Sequence, residues 1–111
     1  MAKFNFPDIL KQLKTALANL AETTLKNYVN DAKADAQNML DSMTGKLEKW
    51  TGLLKNGDLT TEDFEWLVYS QKDLVELAAL KQAGLAEIRI DQFKGSVINM
   101  IIDTTFQILK I

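Results

Sequence analysis

The chain has 111 residues, of which 47% are hydrophobic and 25% charged, and this mixture is typical of one globular domain spanning residues 1–111. The net charge of −2, with a single arginine, argues against a nucleic-acid partner, because nucleic-acid-binding domains usually present a basic face. Histidine and cysteine are absent, which removes the commonest general base and the thiolate ligands, so we expect no metal, no cofactor and no catalytic activity.

The first helix is predicted to begin close to the start of the sequence. Asn5 is an N-cap candidate, Asp8 stands three residues later, and Phe4 and Ile9 have the spacing of a hydrophobic staple. No strong helix breaker follows for several tens of residues. We therefore predict a helix over about residues 7–55, which at about 1.5 Å per residue would be roughly 70 Å long.

Hydrophobic residues recur every eleven positions along this predicted helix, and the repeat supports its length. Eleven residues in three turns favour helices that run nearly straight or wrap in a right-handed coiled coil. The three rows are Phe6, Leu17, Tyr28, Met39 and Trp50; Leu10, Ala21, Ala32, Met43 and Leu54; and Leu25, Ala36 and Leu47.

The clearest turn in the sequence lies at residues 56–60. Gly57 suits the residue that follows a helix end, because glycine enters the left-handed region without a Cβ penalty. Thr60 is the next N-cap, with Asp63 placed to complete a capping box. Two long helices should therefore fold back on each other here.

The second helix is predicted over about residues 61–110, with the same eleven-residue repeat. Gly84 is a candidate break, and a chain interrupted near Ala83 and Gly84 is the alternative. We favour continuity, because the apolar rows keep their phase across the glycine. The rows are Phe64, Val75, Ala86, Val97 and Ile108, and Val68, Ala79, Ile90 and Ile101. An antiparallel hairpin would place Ala32 opposite Ala83 and Ala36 opposite Ala79.

The second helix is apolar on more than one side, which predicts self-association. Residues 97–111 leave only a narrow polar stripe, and a helix of this kind is usually buried on several sides. A second copy of the hairpin would complete a four-helix bundle. The expected interface residues are Ile98, Ile102, Phe106, Leu109, Trp66, Leu77 and Leu80. A membrane-surface role is disfavoured, because the polar stripe lacks the expected excess of lysine and arginine.

No catalytic constellation is found in the sequence. The carboxylates Asp31, Asp35, Glu62, Asp63 and Glu65 are predicted on polar faces or in a cap, and the serines lack a neighbouring base. No secretory signal peptide or apolar stretch of about 18 residues is present, so we expect a cytoplasmic protein.

The tripeptide Trp50-Thr51-Gly52 resembles the W-x-G motif of the WXG100 family of small secreted helical hairpins. Tyr69 and Asp73 have the spacing of that family's Y-x-x-x-D/E export signal, although they lie early in the second helix. The W-x-G also precedes the predicted turn instead of lying in it. The resemblance implies a dimeric export substrate or effector, whereas the apolar rows imply that Trp50 is a core residue.

The sequence as a whole therefore predicts an all-α hairpin that acts as a structural or protein-interaction module. Its expected partner is a second copy of itself, or another protein, and a WXG100-like export substrate is the alternative. The expected core consists of Leu17, Tyr28, Met39, Trp50, Phe64, Val75, Val97 and Ile108.

Overall fold

The computed structural model describes residues 5–111, and these residues form helices and turns with no β-strand. The all-α class is thereby confirmed. The predicted staple partner Phe4 lies outside the described residues. The helices are α1 (Phe6–Thr24), α2 (Val29–Lys55), α3 (Thr61–Ser70), α4 (Ala78–Gln82) and α5 (Glu87–Leu109), and short 3₁₀ turns occupy Lys26–Tyr28 and Lys72–Leu74.

The five helices are arranged as a bundle within one chain. Helix α1 packs against α2 and α5, α2 packs against α3 and α4, and both α3 and α4 pack against α5. Helices α3 and α4 therefore share the same two neighbours, α2 and α5. The described residues measure 46 × 23 × 19 Å, so a continuous 70 Å helix is absent.

The predicted first helix is interrupted at Leu25, where the backbone leaves the helical region (φ −125°, ψ 66°). Thr23, Thr24 and Asn27 surround this point, and β-branched residues and asparagine are weaker helix formers than leucine or alanine. The chain folds back after this break, so that α2 packs along α1. Lys33 of α2 forms a salt bridge with Glu22 of α1 at 2.6 Å. The prediction of one helix over residues 7–55 is therefore wrong.

The predicted turn between residues 56 and 60 is present, together with the Thr60 half of the predicted capping box. Gly57 has a positive φ of 83°. The backbone N–H of Asp58 donates to the carbonyl of Leu53 at 2.8 Å, which is the long hydrogen bond of a Schellman motif. Thr60 is the N-cap of α3, and its hydroxyl accepts a 3.0 Å hydrogen bond from the backbone N–H of Asp63.

The predicted second helix is also interrupted, and one break lies at Gly84. This residue has φ 90°, and the N–H of Leu85 donates to the carbonyl of Leu80 at 3.1 Å. The same motif therefore ends α4, with Leu80 and Leu85 both buried beside it. The continuous helix over residues 61–110 is wrong, and the break that the alternative placed near Gly84 is present.

The other break in this half of the chain lies between α3 and α4, where Val75 is extended (φ −119°, ψ 132°). Long-range contacts hold the segment in place. The Nζ of Lys46 donates to the buried Gln71 side chain at 3.0 Å, and Leu77 is buried in the core. Gln71 is held by its bond to α2, and Leu77 is held by burial in the core. The chain between them therefore leaves the helical conformation and lacks its hydrogen bonds.

The residues of the eleven-residue rows are buried or partly buried, except for the exposed Ala86, even though the helices are shorter than predicted. Four of the eight predicted core residues are fully buried, and the other four are partly buried and pack against the same core. The buried ones are Leu17, Met39, Phe64 and Val97, and the partly buried ones are Tyr28, Trp50, Val75 and Ile108. The predicted right-handed coiled coil required two long continuous helices, and residues 5–111 contain neither of them.

Replacing Gly84 with alanine should destabilise the fold by roughly 1–2 kcal/mol, because an L-residue is strained at positive φ. Gly45 is the matched control: it lies inside α2, and an added Cβ there would meet nothing within 4 Å. Gly45→Ala should stabilise by about 0.5–1 kcal/mol. Urea denaturation monitored by circular dichroism measures both changes. A stabilising Gly84→Ala variant would instead support the continuous second helix.

Candidate interaction surface

The structure separates the predicted interface residues into two groups. Four of them lie in the core of the single chain: Ile98, Ile102, Leu77 and Leu80. Phe106 and Leu109 are half-buried, and Trp66 is 71% exposed. Helix α5 is covered by the other helices on several sides, so the expectation that a lone chain leaves a large part of it exposed is wrong.

The most exposed large aromatic surface lies on α3. Trp66 is 71% exposed and Tyr69 is 46% exposed. Residues three positions apart are neighbours on a helix surface, so the two rings share one side of α3. The exposed acidic residues Glu62, Asp63 and Glu65 lie on the same short helix. We call these five residues the α3 outer face.

The α3 outer face rests on a well-packed scaffold. The buried Phe64 ring packs against Phe106 of α5, with ring centroids 5.7 Å apart and a tilt of 47°. The hydroxyl of Tyr69 donates a hydrogen bond to the side chain of Asn99 on α5. The Tyr69 ring is thereby tied to two helices, which reduces the side-chain entropy lost when a partner binds.

Negative charge accumulates around Trp66. Residues 58–76 contain six carboxylates and one lysine, Lys72, whose Nζ forms a 3.3 Å salt bridge with Asp91. Among residues 5–111, no salt bridge involves the three acidic residues of the α3 outer face. Glu62 and Asp63 also stabilise the N-terminal end of α3 through the helix dipole, whereas Glu65 lies beyond the first turn.

A second surface feature is an open groove of about 810 Å³ between α1 and α5. Its apolar part consists of Ala16, Leu20 and Met100, which are only partly buried. The remaining lining is mainly uncharged and polar: Gln12, Thr15, Asn19, Thr23, Thr104 and Gln107, with Asp8 and Lys11 as its charged members.

Asp35 was predicted on a polar face and is instead 2% exposed. Its carboxylate accepts hydrogen bonds from the backbone N–H groups of Ala79 at 3.1 Å and Leu80 at 2.7 Å, at the start of α4. The bond to Ala79 places Asp35 beside that residue, close to the predicted pairing of Ala36 with Ala79. Asp35 lies three residues after Ala32 and four before Met39, which belong to two neighbouring core rows, so helical spacing in the sequence already places it beside the core.

Other polar groups are also used within the fold. The hydroxyls of Ser42, Ser70 and Ser96 each donate to a backbone carbonyl three or four residues earlier in the same helix. Residues 5–111 contain no group of three or more side chains suited to hold a metal ion. No helix in this part of the chain is both long and apolar enough to cross a membrane.

The chain matches no protein-family model, no curated protein and no solved structure. The tripeptide that suggested the WXG100 family lies within α2, several residues before the turn, and Trp50 is half-buried against the core. Tyr69 and Asp73 lie in two different elements, the end of α3 and the following 3₁₀ turn.

Asp35→Ala should destabilise the fold by about 2–4 kcal/mol, because two backbone N–H groups would lose their acceptor. Asp41 on the same helix is the control. It is exposed and accepts only from the Gln37 side chain, at 2.8 Å, so Asp41→Ala should cost about 0.5 kcal/mol or less. Equal losses of unfolding free energy in urea would contradict the structural role given to Asp35.

Proposed function

We propose that this protein is a non-catalytic protein-interaction module and that the α3 outer face is its binding surface. The observation that supports this proposal most directly is the exposure of Trp66, at 71% of its surface. Tryptophan is among the residues that contribute most binding energy at protein interfaces. Tyr69 adds a second aromatic ring beside it, held by its hydrogen bond to Asn99.

The exposed ring adds little to the stability of the folded chain. The core around α3 is formed by Phe64 and Val68, which point to the opposite side of the helix and are fully buried. Trp66 therefore exposes apolar surface that becomes favourable only when a partner covers it. Folding and binding would depend on different faces of the same helix.

Self-association is one form of this proposal. Four of the predicted interface residues belong to the core, so a second copy would reach them only if the bundle opened. A dimer built on Trp66 would instead form between two folded subunits. Its dissociation would not unfold the subunits, so association and unfolding would be separate transitions.

Sedimentation equilibrium at micromolar concentrations tests the self-association form of the proposal. If two copies join through this face, the wild type shows reversible association that Trp66→Ala abolishes while helicity is retained. Ile88→Ala is the matched control, since Ile88 is 69% exposed but lies at the start of α5. It should associate like the wild type.

Two results would count against the α3 outer face. If Trp66→Ala lowered the unfolding free energy by more than about 2 kcal/mol, the ring would have a structural role, because exposed residues usually change stability by about 0.5 kcal/mol or less. If Trp66→Ala and Ile88→Ala weakened association equally, the contact would lie elsewhere.

A further inference from the structure

We infer that the α3 outer face selects a lysine- and arginine-rich segment of another protein in preference to a second copy of this chain. The inference rests on the proposed function and specifies the partner class. It follows from the position of the exposed aromatic rings among acidic residues that have no salt-bridge partner within residues 5–111.

The first step in the argument is the geometry around Trp66. Glu62 and Asp63 precede it by four and three positions, so both lie one helical turn away on the same side of α3. Glu65 is its immediate neighbour in sequence. A cation over the indole face would gain a cation–π interaction and remain within reach of these carboxylates.

The neighbouring helix extends the acidic surface. Phe64 pairs with Phe106 and Tyr69 bonds to Asn99, so α3 and α5 run antiparallel. Asp103 lies one turn beyond Asn99 on α5, in the stretch between these two contacts, and it is exposed. A cationic segment lying across α3 would therefore have carboxylates on both helices.

A second copy is a poor electrostatic match for the same face. A two-fold symmetric contact brings identical surfaces together, so the acidic residues of both copies would meet across the interface. Like charges placed opposite each other suppress association. Nucleic acids and anionic lipid surfaces would be repelled for the same reason.

The two occupants respond to salt in opposite directions. Screening weakens the attraction of a cationic segment, whereas it weakens the repulsion between two acidic copies. Raising the salt concentration from about 0.05 to 0.5 M should therefore reduce binding of a basic segment and increase any self-association through this face.

The test uses isothermal titration calorimetry with the full chain and a synthetic amphipathic peptide of leucine, lysine and arginine. A second peptide with glutamate at every basic position is the charge control. We expect the cationic peptide to bind, with an affinity that falls as salt rises, and the glutamate peptide not to bind. Trp66→Ala should weaken binding by about 30-fold or more, as for an interface anchor.

Two charge reversals locate the attraction. Glu65→Lys should weaken binding by roughly fivefold or more without disturbing the first turn of α3. Glu48→Lys on α2 makes the same change in net charge and is the control. Glu48 is exposed, and it lies on a different side of α2 from Lys46, whose side chain bonds to Gln71. This substitution should leave the affinity within about twofold. Circular dichroism confirms that each variant is folded.

The inference is overturned if the glutamate peptide binds as well as the cationic one, if Glu48→Lys weakens binding as much as Glu65→Lys, or if neither peptide binds at submillimolar concentration. These results are distinguishable from failure of the proposed function. Self-association that depends on Trp66, combined with no peptide binding, would keep the interaction surface and reject the basic partner. Insensitivity of both measurements to Trp66→Ala would reject both.

Discussion

Burial of α5 on several sides is the constraint on which this fold depends. Val97, Ile98, Ile101 and Ile102 are all buried, and together they form one broad apolar face that spans about 140° of the helix. Each large apolar side chain contributes roughly 1.5–3 kcal/mol on burial, so leaving one side in water would cost a large part of a domain's net stability. Two straight helices cannot cover such a surface. The interruptions at Leu25 and Gly84 allow one chain to do so, because α1 folds back along α2 and α5 reverses to lie between α1 and α3.

The breaks arise from two kinds of interaction. Local backbone chemistry ends α2 and α4 at Gly57 and Gly84, and α5 ends similarly at Lys110, which has φ 59°. In each case an N–H bonds to the carbonyl five residues earlier. The segment between α3 and α4 has no such local signal. It depends on α2, through the Lys46 bond to Gln71 and the Asp35 carboxylate at the start of α4.

The interior and the α3 outer face differ in how their polar and aromatic groups are satisfied. Every buried side-chain polar atom in residues 5–111 has a hydrogen-bond partner, and the buried Asp35 is satisfied by backbone N–H groups. The outer face of α3 instead combines exposed aromatic rings with acidic residues that form no salt bridge within residues 5–111, on a helix that is anchored by Phe64. A rigid support beneath exposed aromatic rings limits the entropy lost on binding, and the surrounding charge restricts which partners can approach.

The sequence by itself determined the helical class, the central turn and most of the buried positions. Capping residues such as Thr60 and helix-ending glycines such as Gly57 act through neighbouring backbone groups, and core periodicity is preserved within each helix whether or not the helices are continuous. Tertiary structure decided where the long helices break, because the propensity differences near Leu25 are small beside the energy of covering α5. It also decided that Asp35 is buried and that Trp66 is exposed. Both depend on which helix packs alongside, and local spacing along one helix does not contain that information.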